Sequence, residues 1–138
     1  MILVLLVSCS RDSSDNVELT SDYIEVAGVK HQIDKFEISN ESDFWIGSKK
    51  DGTYVSFGFT WYKVPIGEKV YFAEVDNDDG FGGFQYFDLV DGGRKCNLTD
   101  GSSDSYFYIT KNGDNYNVEV YIGSSKYKTI VHYYGTMK

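Results

Sequence analysis

The sequence predicts an all-β domain, an antiparallel β-sandwich of about ten short strands. Three observations lead there. Residues that suit a pleated surface and its turns dominate, with 12 Tyr, 9 Phe and 14 Gly against a single Pro. Aromatic side chains pack well on strands, and Gly gives tight turns their backbone freedom. Apolar and polar residues alternate with period two, not with the 3.6-residue period of a helix. Turn signals recur roughly every 8–12 residues, as in a sandwich or a barrel. A lipocalin-like barrel is the alternative arrangement of the same strands, and it would carry a small apolar ligand inside.

In chain order, residues 1–8 read as a signal-peptide remnant, 9–22 as an anchor and flexible tether, and 23–138 as one β-domain. Strands are expected at 23–27, 30–38, 43–48, 53–62, 69–75, 84–90, 94–98, 105–111, 115–122 and 127–136. The clearest is TYVSFGFTWY, where Val55, Phe57, Phe59 and Trp61 share one face and Tyr54, Ser56, Gly58, Thr60 and Tyr62 the other. Between the strands lie Gly28-Val29, Asp51-Gly52, Asp91-Gly92-Gly93, Asp100-Gly101, Asn112-Gly113 and Gly123-Ser124-Ser125 as turns.

The last three strands form a meander whose register follows from its turns. Asn112-Gly113 as a two-residue type I′ loop pairs Ile109 with Tyr116 and Phe107 with Val118. The next turn then sets Ile122 against Tyr127, Val118 against Val131 and Tyr116 against Tyr133. Apolar residues meet apolar residues, as a buried face requires. The opposite face lines up Tyr108, Asn117 and His132 in one row and Tyr106, Glu119 and Ile130 in the next, with Tyr121 and Tyr134 flanking. Such a face suits sugar: rings stack on a pyranose while polar tips bond its hydroxyls. The same residues also suit the ordinary solvent side of a sheet, or a face covered by a further layer.

The start of the chain has its own logic. The apolar run 2–7 is much shorter than the ~20 residues needed to span a bilayer and lacks a preceding basic residue. It ends in Leu6-Val7-Ser8-Cys9, which resembles the lipobox of bacterial lipoprotein signals. That resemblance implies a thioether-linked diacylglycerol on Cys9, which becomes the mature N-terminus; two or more acyl chains hold a protein stably on a membrane. Residues 10–22 are Ser- and Asp-rich, with too little apolar surface to order themselves. Ser10 stands where an Asp would resemble an inner-membrane retention signal, which points to the outer membrane. With YIEVAGVKHQID and IVHYYGTMK at the two ends of the domain, the chain resembles small outer-membrane lipoproteins of Bacteroides-type bacteria. The implied location is the cell envelope, periplasmic or surface-exposed.

Other chemistries have weaker footholds. A net charge of −8, from 21 acidic and 13 basic residues, disfavours nucleic acid. Asp76, Asp78 and Asp79 in VDNDDGFGGF offer oxygen ligands for Ca²⁺, but Gly80 sits at the fifth position and no Glu closes an EF-hand; no other cofactor is expected. Trp45 with Glu41 and Asp43 is the nearest approach to a glycosidase-like carboxylate pair. No nucleophile elbow, HExxH or CxxC occurs, so no catalytic residue is assigned. A lipidated Cys9 leaves Cys96 without a disulfide partner, as a buried, inert thiol. The expectation is a non-catalytic, lipid-anchored envelope protein. It binds glycan or a protein partner through Tyr106, Tyr108, Asn117, Glu119, Tyr121, His132 and Tyr134, or else is a purely structural component.

Overall fold

The computed structural model describes residues 21–59, 63–72, 84–98 and 104–138. Eleven strands run through them in two antiparallel sheets. One sheet has the order β2-β1-β11-β10-β9-β6, made of β1 (Tyr23–Val26), β2 (Val29–Gln32), β6 (Lys69–Tyr71), β9 (Tyr106–Asn112), β10 (Asn115–Ile122) and β11 (Thr129–Gly135). The other has the order β3-β4-β5-β7-β8, made of β3 (Lys35–Ser39), β4 (Asp43–Ser48), β5 (Thr53–Phe59), β7 (Phe84–Asp91) and β8 (Arg94–Lys95). The sheets pack on each other without closing into one ring of strands, so the fold is the sandwich and not the barrel.

The expected strand at 30–38 is two strands, and hydrogen bonding explains the break. The Ile33 amide donates to the Asp22 carbonyl beside the first sheet, whereas the next amide, of Asp34, donates to Gly47 of the second. Ile33 is buried, and the Asp34 carboxylate accepts the Lys49 and Lys50 amides at 2.7 and 3.1 Å. One apolar and one polar side chain thus hold the corner where the chain changes sheets. Beyond β11 the chain crosses again. Phe36 and Lys138 exchange backbone hydrogen bonds at 3.0 and 2.9 Å, covering the β3 edge that would otherwise be free to pair with another chain.

Between the sheets lies an aromatic core. Phe57 on β5 stacks on Phe44 (4.5 Å between ring centres, 16° between planes) and meets Phe107 of the opposite sheet at 4.9 Å. Phe84 and Phe87 of β7 pack against it from the neighbouring strand. Val55, Phe57 and Phe59 are fully buried, as the alternation in TYVSFGFTWY predicts. Offset and edge-on ring pairs add about 0.5–1.5 kcal/mol each beyond the area they bury. Tyr116 and Tyr133 also point inward, and the Tyr133 hydroxyl donates to the Thr136 carbonyl.

The C-terminal meander forms with the expected faces but a register two residues away from expectation. Ile109 pairs with Val118 and Phe107 with Val120, while Val120 pairs with Val131 and Val118 with Tyr133. The β9–β10 loop is Gly113-Asp114, closed by Asn112 and Asn115. A type I′ loop needs positive φ at both central residues; here only Gly113 (φ 64°) has it, the pattern of a type II′ turn. Placing Gly first spares Asn112 a left-handed conformation. At the other turn, β11 begins at Thr129 because side chains stabilise a longer loop: Ser124 Oγ accepts the Tyr127 amide, and Thr129 Oγ1 donates to the Tyr127 carbonyl. Similarly, the first hairpin turns at Ala27-Gly28, both at positive φ, and not at Gly28-Val29. Nothing lies within 4 Å of a Cβ at Gly113, so Gly113→Val isolates backbone strain. It should lower stability by at least ~1 kcal/mol in chemical denaturation; an unchanged midpoint would contradict the turn.

Candidate functional site

The outward face of the six-stranded sheet is where the expected ligand-binding residues come together. Because the register moved by an even number, every one of them keeps its face, but the rows change. Tyr108, Glu119 and His132 are now level across β9, β10 and β11; Tyr106, Tyr121 and Ile130 form the next row, and Thr110, Asn117 and Tyr134 the third. Their inward neighbours Phe107, Ile109, Val118, Val120, Val131 and Tyr133 are buried, which fixes the outward direction of the set.

Two further strands extend the face beyond what the sequence suggested. β6 adds Lys69 beside Tyr108 and Tyr71 beside Tyr106, and β1 adds Tyr23 beside His132. Tyr71, Tyr106 and Tyr121 make a line of rings with centres 5.9 and 6.1 Å apart. The Lys69 ammonium lies 4.1 Å from the centre of the Tyr106 ring and 5.5 Å from that of Tyr71. At the other side Tyr23 stacks on His132 (6.3 Å, 25°), with the Lys30 ammonium 4.4 Å from its centre. The alternation Lys69-Val70-Tyr71, with Val70 buried, was the one local signal for this extension.

The polar groups are positioned from behind. His132 Nδ1 sits 2.7 Å from the Ser21 carbonyl, which can only accept, so Nδ1 carries a proton and Nε2 is left for another partner. The Tyr134 amide donates to Asp22 Oδ1 at 2.9 Å, while the Tyr134 ring is 56% exposed. Glu119 sits half-buried at the middle of the meander, level with Tyr108 and His132.

The remaining candidates are placed as follows. Glu41 pairs with Lys63 at 3.3 Å, and Asp43 accepts the Tyr86 hydroxyl at 3.1 Å. Burial, then the bond to Asp43, pushes the Tyr86 phenol up to about 12. Trp45 stacks on Tyr54 at 4.6 Å on the outside of the five-stranded sheet. Cys96 is buried, and that burial raises its thiol above the usual range, away from the thiolate a nucleophile needs. Cys9, and Asp76, Asp78 and Asp79, lie outside the described residues. Among the described residues no group of three or more His, Cys, Asp and Glu is placed to hold a metal ion.

His31 does something the sequence did not suggest. From β2 it reaches the turns of the other sheet, with Nδ1 2.8 Å from Asp51 and Nε2 3.9 Å from Asp91. Thr53 Oγ1 donates to Asp91 and accepts the Gly92 amide, tying the two turns together. The hydrogen bond from His31 holds the Asp51 carboxyl below its ordinary value. A depressed carboxyl contributes stability that is present above its unfolded pKa and lost as the pH falls through the folded one. The carboxyl's contribution to this link is therefore lost in acid.

Compared with family models, curated proteins and solved structures, the chain matches none.

Proposed function

We propose that this chain is a non-catalytic, lipid-anchored protein of the bacterial envelope that binds glycan through the tyrosine face of its six-stranded sheet. The line of Tyr71, Tyr106 and Tyr121 carries the reading. Three rings about 6 Å apart, tilted 59° and 33° to one another, offer a run of aromatic surface for the apolar faces of a sugar chain. Glu119, Asn117 and His132 lie alongside with hydrogen-bonding tips, the mixture of apolar surface and few polar groups that ligand sites use. The anchor rests on Leu6-Val7-Ser8-Cys9 and the polar stretch after it.

Two measurements test this. Cys9→Ala should move the protein from the membrane pellet to the supernatant of lysed cells; protein that still sediments with membranes counts against the anchor. Titration with mixed oligosaccharides should shift the ring resonances of Tyr106 and Tyr121, and Tyr106→Ala should weaken binding by about tenfold, the equivalent of one good stacking contact. Rings that respond to no glycan would return the face to a protein partner.

A further inference from the structure

We infer that the glycan this face selects carries free, positively charged amino groups, with Glu119 as their counter-charge; this rests on the glycan reading above. The charge layout of the sheet leads to it. The face has cations at both margins, and both are engaged: Lys69 lies over Tyr106 and Tyr71 on β6, and Lys30 lies over Tyr23 on β2. Glu25 is level with Lys30 across β1 and β2. Glu119 has no such neighbour. Its cross-strand neighbours are Tyr108 and His132, Tyr121 is two residues along, and Tyr106 and Tyr134 are diagonal to it. Among the described residues its carboxylate makes no ion pair and no hydrogen bond.

A half-buried carboxylate flanked by Tyr108, Tyr121 and Tyr134, with the Tyr106 ring already facing Lys69, presents two attractions to the same kind of group. An ammonium gains a charge-assisted hydrogen bond to the carboxylate and an electrostatic attraction to the ring faces around it. A hydroxyl gains an ordinary hydrogen bond and nothing from the rings. An acetylated amine loses its charge, and a sugar carboxylate meets repulsion. His132, level with Glu119 on β11, bonds the Ser21 carbonyl through Nδ1 and makes no ion pair with the carboxylate. The net charge of −8 draws a polycationic chain from a distance. The layout therefore distinguishes an amino sugar from its N-acetyl and neutral counterparts.

The test is isothermal titration of the full chain, at neutral pH, with glucosamine oligomers, their N-acetylated forms and glucose oligomers of the same linkage. Glucosamine oligomers should bind about tenfold more tightly than either other series, the worth of one hydrogen bond to a charged group. Glu119→Gln, close to isosteric, should erase that difference. Equal affinity for all three series, or a preference that survives Glu119→Gln, overturns the amino-sugar assignment while the glycan reading stands. Binding to none of the three removes both. Glu119-dependent binding of a polylysine peptide in place of the sugars would reassign the carboxylate to a basic protein partner. Tyr134→Ala, an exposed ring that need not affect folding, should reduce the preference as a second variant; no reduction counts against the ring contribution.

Discussion

Phe57→Ala is expected to lower stability by about 3–5 kcal/mol, the usual range for removing a fully buried ring. The position is the junction of the core. Its ring is stacked on Phe44 at 4.5 Å, lies 4.9 Å from Phe107 and 5.2 Å from Phe84, and is 5.8 Å from both Phe59 and Phe87. Phe107 belongs to the other sheet, so the truncation removes contacts along β4, β5 and β7 and across the sandwich together. These neighbours are themselves rigid rings on paired strands, which leaves little scope for collapse into the gap. A small domain has a total stability of roughly 5–15 kcal/mol, so the variant should sit close to its unfolding threshold. Denaturant titration reads the result: the midpoint should fall sharply with the slope unchanged. A loss below about 1.5 kcal/mol, the range of tolerated core swaps, would show that the ring is not central.

Gly47→Ala should also destabilise, and here the sign is the point. Replacing a strand glycine by alanine ordinarily stabilises by about 0.5–1 kcal/mol, because the unfolded chain loses freedom. At Gly47 an added Cβ would lie 2.4 Å from the Thr53 carbonyl oxygen and 2.5 Å from Tyr54 Cα. Those are backbone atoms of the strand paired with it, and they cannot retreat without disturbing the β4–β5 ladder. We expect a loss of about 1–3 kcal/mol, as for other overpacked positions, visible as a lower thermal midpoint. Gly58 makes the control. A Cβ there meets the Tyr86 ring at 2.5 Å and Asp43 Oδ1 at 2.6 Å, both ends of side chains that can swing aside. Gly58→Ala should therefore be milder. If Gly47→Ala proved neutral or stabilising, the close approach of β4 and β5 would be wrong.

What could be read in the sequence, and what could not, divides by the range of the interaction. Strand identity is local, so the alternation in TYVSFGFTWY located the buried face of β5 directly. Face assignment in the meander survived a misjudged register because the side-chain period is two, and the turns at 113–114 and 123–128 displaced both ladders by an even number. Row assignment did not survive, and with it went the supposed proximity of Tyr108 to Asn117. The parts of the face contributed by Lys69, Tyr71 and Tyr23 were out of reach for a different reason. β6 pairs with β9 and β1 with β11, and no turn joins either pair. Nothing in the residues near Tyr71 states which strand lies beside it. The link from His31 to Asp51 and Asp91 is of the same kind, formed by three residues on separate turns and strands.

The pairing of β1 with β11 also governs how the chain reaches its native state. Ser21 and His132, bonded through a carbonyl and an imidazole, are 111 positions apart, and the ladder beside them joins the first described strand to the last. The meander β9–β10–β11 can assemble through short loops, but the β1–β2 hairpin has no other strand of its sheet to dock on until β11 is in place. Closing so long a loop is entropically unfavourable before any contact rewards it. Sandwiches dominated by such distant pairings fold in roughly milliseconds to seconds, far slower than bundles of local contacts. The tyrosine face is then completed in parts: Tyr106, Tyr108 and Tyr121 are arrayed with the meander, and Tyr23 takes its place beside His132 only once β1 docks on β11.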